Sequence, residues 1–522
     1  MELFLIGSPA KQERDLYRSF SARALDHSVL NRSNEGSAVL WFGSCVSWSG
    51  VLIWLKKRIH YPRLNLFLVR NPGNISRAEW AVCRALVRYG LADGIIAWQP
   101  TNTAAKSELT DRFTLFSSAI DETLDWIRQR VRARARSILL VDPSVSRQSP
   151  SLRSVVDSVP ELVRLGWELD QWCLESDIKP LCARSIIFPG ARFRPGFAKL
   201  FAFFILINQF AFWLRLVAGR RPATIVYTTN ANLVEADVCA VHFCTRYWIR
   251  IARSLRPLEW RDRLDLIIAR IGATFERWQL TSRSLRLLLP VSVGIGEVVQ
   301  QIYGNRVPQR VLPNDYEPKR FNPSVRQQWR KATRDLLGYE NDSFVLAFTS
   351  YGHYRRKGFW LAVDGLKLLH ERGLDHVRLL VIGGTPTAIR ELKRKLHRCW
   401  ADGKRFVLFA GMQTTVERFL AAADAFLFPS FFEAAARAPV EAAAMGLPIF
   451  VSDLFGTENL IDGTFLGARV KLSAVSIADR VQSFLRGEGK KNPVVLPAAL
   501  TSPEYASALA DVFDKLLGGG GS

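Results

Sequence analysis

The stretch Ala425–Asp453, "AFLFPSFFEAAARAPVEAAAMGLPIFVSD", decides how the rest of the chain is read. Its two ends, "AFLFPS" and "PIFVSD", are apolar runs of strand length, and the alanine-rich run between them has helical composition, so the stretch predicts a parallel βαβ unit. Pro439 suits the first turn of that helix, where its missing N–H is not needed, and Gly446 with Pro448 suits the stop. In an open parallel sheet ligands lie beyond the carboxyl ends of the strands, so the first strand delivers Ser430 to that edge, with Glu433 in the loop above it. Glu441 is expected in the first helical turn, beside free backbone amides and the positive end of the dipole. A single such glutamate reads most simply as a dipole complement or a solvated loop residue. Two of them at an anion-friendly terminus suit a ligand that carries both hydroxyls and phosphates.

An earlier stretch tilts the choice toward a ligand. The strand-like "FVLAFTS" is followed by "YGHYRRKGFW", which places Arg355, Arg356 and Lys357 in a loop that opens a helix at Gly358. Cations at a helix start are disfavoured by its dipole, so this cluster calls for an anion. A diphosphate reaching both loops would satisfy the cations of one and the amides of the other.

Outward from these loops the alternation of strand-like and helical runs continues. From Ser137 it passes through "SILLVDPS", "ELDQWCLES", "RSIIFPG", "ATIVYTT" and "DVCAVHF", then, after a mostly helical interval, from "LRLLLPVS" to "PIFVSD". This predicts an α/β protein with two tandem doubly wound lobes, residues 137–313 and 314–516. Residues 1–136 fit neither lobe and are expected to form an extra N-terminal α/β unit. It closes on "IRQRVRARAR", Ile127–Arg136, which reads as a basic linker or an exposed helix end. Residues 517–522, ending "GGGGS", read as an appended Gly/Ser linker. Phe197–Gly219 is long enough to raise the question of a membrane span, but Lys199 and Arg215 interrupt it and a strand follows at once. A helix buried against a sheet is the expectation.

At 522 residues, 48% hydrophobic and 23% charged, the chain has globular composition and is too long for one core. Its seven scattered cysteines contain no C-x-x-C pair, so neither a disulfide framework nor a zinc site is suggested and a reduced, cytoplasmic setting is expected. The start, "MELFLIGSPAKQERD", lacks the basic flank and long apolar core of a secretory signal. A formal charge of +23 favours a polyanionic partner: phosphorylated substrates, an anionic membrane face, or nucleic acid, the last being the least favoured.

The region 137–519 resembles the retaining GT-B glycosyltransferases of family 4. "EAAARAPVE" matches their E-x7-E signature, "LPNDYEPKRFNP" is similar to their hinge, "RRKG" to their phosphate loop, and "VRLLVIGG", "FVLFAGM" and "AAADAFLFPS" to their core strands. The resemblance implies two Rossmann-like lobes facing across a cleft, and transfer of a sugar from a nucleotide-diphosphate donor with retention of configuration. It implies that Glu433 binds the donor sugar near the reacting centre, that Glu441 holds the ribose, and that Lys357 and Arg356, with Arg355 beside them, neutralise the diphosphate. Ser430, Ala434 and Ala435 would complete the donor loop. His242, in "DVCAVHFCTRYW", resembles the N-lobe histidine that faces the transferred sugar. No metal and no cofactor is implied, since no D-x-D pair stands where a divalent ion would sit.

Three positions depart from the family pattern: Tyr351 stands where many members carry an arginine, Ala436 where glycine is favoured, and "DPSVSRQSPS" lacks a frequent glycine pair. A positive φ at Ala436 would be strained. The basic and aromatic segment Arg246–Arg263 suggests a peripheral protein on the inner face of a membrane, with a lipid-linked or cell-envelope glycan as acceptor. The alternatives are a non-catalytic GT-B scaffold that binds membrane or nucleic acid, and a GT-B nucleotide-sugar epimerase.

Overall fold

The computed structural model describes residues 3–6, 38–41, 65–70, 77–88, 94–98, 114–117, 120–147, 149, 151–189, 196–218, 224–255, 260–457, 467–488 and 501–518. The helical run "GVLIWLKKRI", residues 256–259 of the basic segment and the tail beyond 518 lie outside them. The chain divides into two compact units, one of Met1–Cys239, Trp278–Arg286 and Ala510–Ser522, the other of Ala240–Arg277 and Leu287–Leu509.

Among the described residues of the first 136 are five strands, β1 (Leu3–Ile6), β2 (Ala38–Trp41), β3 (Asn65–Arg70), β4 (Gly94–Trp98) and β5 (Thr114–Ser117). They pair in parallel in the order β1-β2-β3-β4-β5. The helix Ile120–Ala135 follows, so that Ile127–Arg136 is largely a helix end and not a linker, and part of it faces inward. Ile127 is fully buried, and Arg130 bonds Glu168 through both guanidinium nitrogens, at 2.9 and 3.2 Å, with both side chains buried. The alternate-residue arginine pattern therefore conceals an inward-facing cation, which a fork-to-carboxylate pair tolerates.

Two six-stranded parallel sheets follow. The earlier one contains β6 (Ser137–Val141), β7 (Glu168–Cys173), β8 (Arg184–Ile187), β9 (Ile225–Thr229), β10 (Val238–Val241) and β11 (Leu287–Pro290), in the order β8-β7-β6-β9-β10-β11. The later one contains β12 (Phe344–Thr349), β13 (Val377–Ile382), β14 (Val407–Gly411), β15 (Ala425–Phe428), β16 (Ile449–Val451) and β17 (Gly467–Arg469), in the order β14-β13-β12-β15-β16-β17. Each sheet has the 3-2-1-4-5-6 strand order of a doubly wound fold, whose reversal point lies between its first and fourth strands.

The later sheet shows why these sequences make parallel strands. Alternate residues of β12 and β15 enter different cores: Val345, Ala347, Phe426 and Phe428 pack on one face, Leu346, Phe348 and Leu427 on the other. Both faces are covered, so each strand reads as a continuous apolar run instead of an alternation.

The helix Gly196–Ala218 buries Phe203, Ile207, Ala211 and Leu214 against Leu139, Val141, Trp172 and Val226. Among the described residues no helix is long and apolar enough to cross a membrane.

Candidate donor-binding site

The later sheet assembles the site at its reversal point. β12 and β15 are parallel neighbours, with Leu346 opposite Ala425 and Ala347 opposite Phe426, so the loops after both strands leave the same edge. Those loops carry the "RRKG" and E-x7-E residues, and they are bonded together. The amide of Phe431 donates to the Arg356 carbonyl at 2.8 Å, and the Ser430 hydroxyl donates to the same carbonyl at 3.1 Å. In return the Arg356 guanidinium donates to the Phe432 carbonyl at 2.9 Å and pairs with the Glu433 carboxylate at 3.2 Å. Ser430 also reaches Glu433, at 3.4 Å.

Gly358 makes this contact possible. It lies in the left-handed region at φ +73° and caps the helix Phe359–Glu371, and a Cβ there would stand 1.9 Å from the Pro429 carbonyl oxygen. Only a residue without a side chain lets the two loops meet.

Lys357 lies over the Phe428 ring, 5.2 Å from its centroid. Loss of solvation holds its ammonium below the usual lysine range; Arg356 pushes the same way, while Glu433 and Glu441 pull it back up. Glu441 and Glu433 are thus both within electrostatic reach of this one cation. A polyphosphate would relieve the arginine–lysine repulsion and the desolvation together. Arg355 turns elsewhere: its guanidinium donates to the carbonyl of Leu255, at the end of the helix Thr245–Ser254.

The signature helix is Arg437–Ala444, which corrects one detail. Glu441 is its fifth residue and stands in the second turn, not the first, because the helix begins at Arg437, two residues before Pro439, instead of at the proline. Ala436 is the N-cap at φ −75° and ψ 117°, extended backbone that any residue adopts, so the alanine in place of the family's glycine carries no strain. Gly446 at φ +75° follows the helix, as its place in the sequence predicts. Tyr351 is exposed in the loop after β12.

Sequence reasoning missed the residues that hold this loop from beneath. The Ser292 hydroxyl donates to the carbonyl of Ala434 at 2.5 Å, and the Asn314 amide to that of Ala435 at 3.3 Å. Arg437 pairs with buried Asp315 at 2.7 Å, and Asp315 in turn accepts from Ser502 at 2.6 Å. A signal for this pair was available: Arg437 is the first residue of its helix, where a cation is disfavoured unless an anion meets it.

His242 falls in the same compact unit as Glu433. Loss of solvation, and then the Arg437 charge, push its pKa down to about 3, so the imidazole is neutral through the physiological range. Because the folded value lies below the ordinary one of about 6.5, unfolded chains bind the extra proton first. This contribution to stability is full above about pH 6.5 and is lost as pH falls toward 3. Unfolding free energy should drop with pH across that window, and His242→Gln should flatten the slope by at most about 1.4 kcal/mol per pH unit in denaturant titrations.

The segment Arg246–Arg263 divides its residue types. Tyr247 and Trp248 turn onto Phe432, with ring centroids 5.5 and 6.4 Å away, and Phe243 meets the same ring at 5.2 Å. Arg246, Arg250 and Arg253 face solvent. Tyr247 and Trp248, two of the aromatics that suggested a lipid-facing surface, thus pack within this unit against the residue preceding Glu433. Among the described residues no group of three His, Cys, Asp or Glu side chains is gathered as a metal site.

Residues 343–486 match the family described as Glycosyl transferases group 1. Over 178 residues the chain is 26% identical to the UDP-Gal:alpha-D-GlcNAc-diphosphoundecaprenol alpha-1,3-galactosyltransferase of Escherichia coli, covering 34% of this chain and 45% of that protein. Over 229 residues it is 27% identical to the D-inositol 3-phosphate glycosyltransferase of Xylanimonas cellulosilytica, covering 42% and 54%. The chain thus spans about half the length of these curated relatives. Among solved structures, the sucrose-phosphate synthase of Thermosynechococcus elongatus superposes with a TM-score of 0.56 at 16% identity, covering 74% of this chain and all of that one. WaaG, a glycosyltransferase involved in lipopolysaccharide biosynthesis, superposes with a TM-score of 0.54 at 19% identity, again covering 74% of this chain and all of that one. The chain carries a glycosyltransferase group 1 domain, and its fold is GT-B.

Proposed function

We propose that this chain is a family 4 glycosyltransferase that moves a hexose from a nucleotide-diphosphate donor to a lipid-linked or cell-envelope glycan, with retention of configuration and without a metal ion. The observation that carries the reading is the joining of two loops at one sheet edge, which sets Arg356 and Lys357 beside Glu433 with Glu441 in electrostatic reach. In the reaction the bond from the sugar's anomeric carbon to the diphosphate breaks with its electron pair going to the diphosphate oxygen, the acceptor hydroxyl oxygen bonds that carbon, and the hydroxyl proton passes to the departing diphosphate. Lys357 stabilises the charge that grows on the diphosphate, Glu433 holds sugar hydroxyls, and Glu441 holds the ribose. Neutral His242 offers a hydrogen bond to the sugar without adding a further cation. The names of the curated relatives, one of which uses a UDP-sugar and a diphosphoundecaprenol-linked acceptor, support this donor and acceptor class.

The test is a transfer and hydrolysis assay with a panel of nucleotide sugars and polyprenyl-diphosphate glycans. Turnover of one donor with the anomeric configuration preserved supports the reading; binding of donors with neither transfer nor hydrolysis overturns it in favour of a non-catalytic scaffold. Lys357→Ala and Glu441→Ala should each weaken nucleoside diphosphate binding by about 1.5–3 kcal/mol, as measured by titration calorimetry. The placement of the chain on the inner face of a membrane belongs to the same proposal, supported by its charge of +23 and by the outward arginines of the helix Thr245–Ser254.

A further inference from the structure

The helix Gly196–Ala218 has a second apolar side. Its inner residues pack on the sheet, yet the opposite side exposes Phe201 (43%), Ile205 (43%), Leu206 (42%), Phe212 (55%) and Trp213 (57%), with Gln209 the polar residue among them. A helix apolar on all sides is normally enclosed, and a continuous apolar face left in solvent marks a docking surface. We propose that this face lies in the headgroup and upper acyl region of an anionic bilayer, parallel to the membrane plane. The inference rests on the membrane part of the proposed function and names the element that makes the contact, in place of the Arg246–Arg263 aromatics.

Charge and geometry select a lipid surface as the occupant. The helix contains no acidic residue, Arg192 and Arg194 precede it in the sequence, and Arg220 and Arg221 follow. An apolar helix bracketed by arginines is matched by acyl chains bordered by anionic headgroups. Trp213 and the exposed phenylalanines bring amphipathic or apolar rings of the kind that settle at that depth. Spanning is excluded by the inner face: Phe203, Ile207, Ala211 and Leu214 belong to the core against β6, β7 and β9, and a transverse helix would have to abandon it. Lys199 bonded to Glu175 at 3.1 Å and Arg215 bonded to Glu235 at 3.0 Å hold the helix at both ends.

The test is flotation of the full chain with vesicles of phosphatidylcholine containing phosphatidylglycerol, compared with phosphatidylcholine alone. The double substitution Phe212→Gln with Trp213→Gln alters only exposed side chains, so its melting temperature should match that of the unaltered chain while its affinity for the anionic vesicles falls roughly tenfold or more. Should that variant melt early, Phe201→Gln with Ile205→Gln provides the same reading, and hydrogen exchange of residues 196–218 should slow when vesicles are added to the unaltered chain. Equal flotation of a stably folded variant and the unaltered chain overturns the assignment to this helix and leaves the membrane reading standing. Failure of the unaltered chain to float with any vesicle overturns both, with sugar transfer to a soluble acceptor unaffected. A dimer that becomes a monomer on substitution, with vesicle affinity unchanged, identifies the occupant as a second copy and overturns the proposal.

Discussion

Glu433→Gln should leave nucleoside diphosphate affinity close to that of the unaltered chain and lower turnover by about 10²–10³-fold, the effect of removing one preorganised electrostatic contact. The geometry separates the two quantities. Glutamine has the same shape and keeps an oxygen for Ser430, and Arg356 retains its bond to the Phe432 carbonyl, so the joined loops stay in place. Removing the carboxylate leaves Lys357 and Arg356 less compensated, which does not weaken attraction for a diphosphate. On the proposed function, what is lost is the charged acceptor for sugar hydroxyls, a contact that would strengthen as positive charge develops at the anomeric carbon. Calorimetry with the nucleoside diphosphate and steady-state rates with the nucleotide sugar check the two halves. A variant that turns over at the unaltered rate would remove Glu433 from the chemistry, and one that no longer binds the nucleotide would make its role structural.

Gly358→Ala should be the most damaging single substitution at this site. The position costs an alanine about 1–2 kcal/mol for its left-handed backbone, and a methyl group 1.9 Å from the Pro429 carbonyl oxygen adds an overpacking cost of about 1–3 kcal/mol. Relief requires the loop after β12 to move away from the loop after β15, which breaks the bonds that Ser430 and Phe431 make to the Arg356 carbonyl. The expected result is a loss of about 2–5 kcal/mol in denaturant unfolding, together with loss of nucleoside diphosphate binding in the protein that remains folded. Gly446→Ala is the control: its φ is +75°, but no atom lies within 4 Å of the added carbon, so it should cost only the backbone part and spare binding.

The sequence alone determined what depends on local pattern. Continuous apolar runs separated by helical ones specify parallel strands because both faces of such a sheet are covered, and this holds for the inner strands β12, β15 and β16 of the later sheet but not for its edge strand β17, Gly467–Arg469, which has no apolar run. The helix stop at Gly446 and the helix start after Gly358 were legible for the same reason, since each is set by backbone preferences of a few adjacent residues. That the "RRKG" and E-x7-E loops could share one diphosphate was legible from their charges, but their direct bonding was not, because strand order, which makes β12 and β15 neighbours, is not written in either segment.

Tertiary structure decided the partner of each charge and the direction of each side chain. Arg130, one of a run of arginines, is the one paired with Glu168; Arg355 turns from the "RRKG" loop to the Leu255 carbonyl; Arg437 is met by Asp315, 122 positions away. The helix Gly196–Ala218 reads as apolar on every side, and only its packing on the sheet shows which half is core and which half is left facing outward. Local propensity acts over a turn or a pleat, whereas ion pairing and burial depend on which distant segments the sheet order brings to the same edge or face.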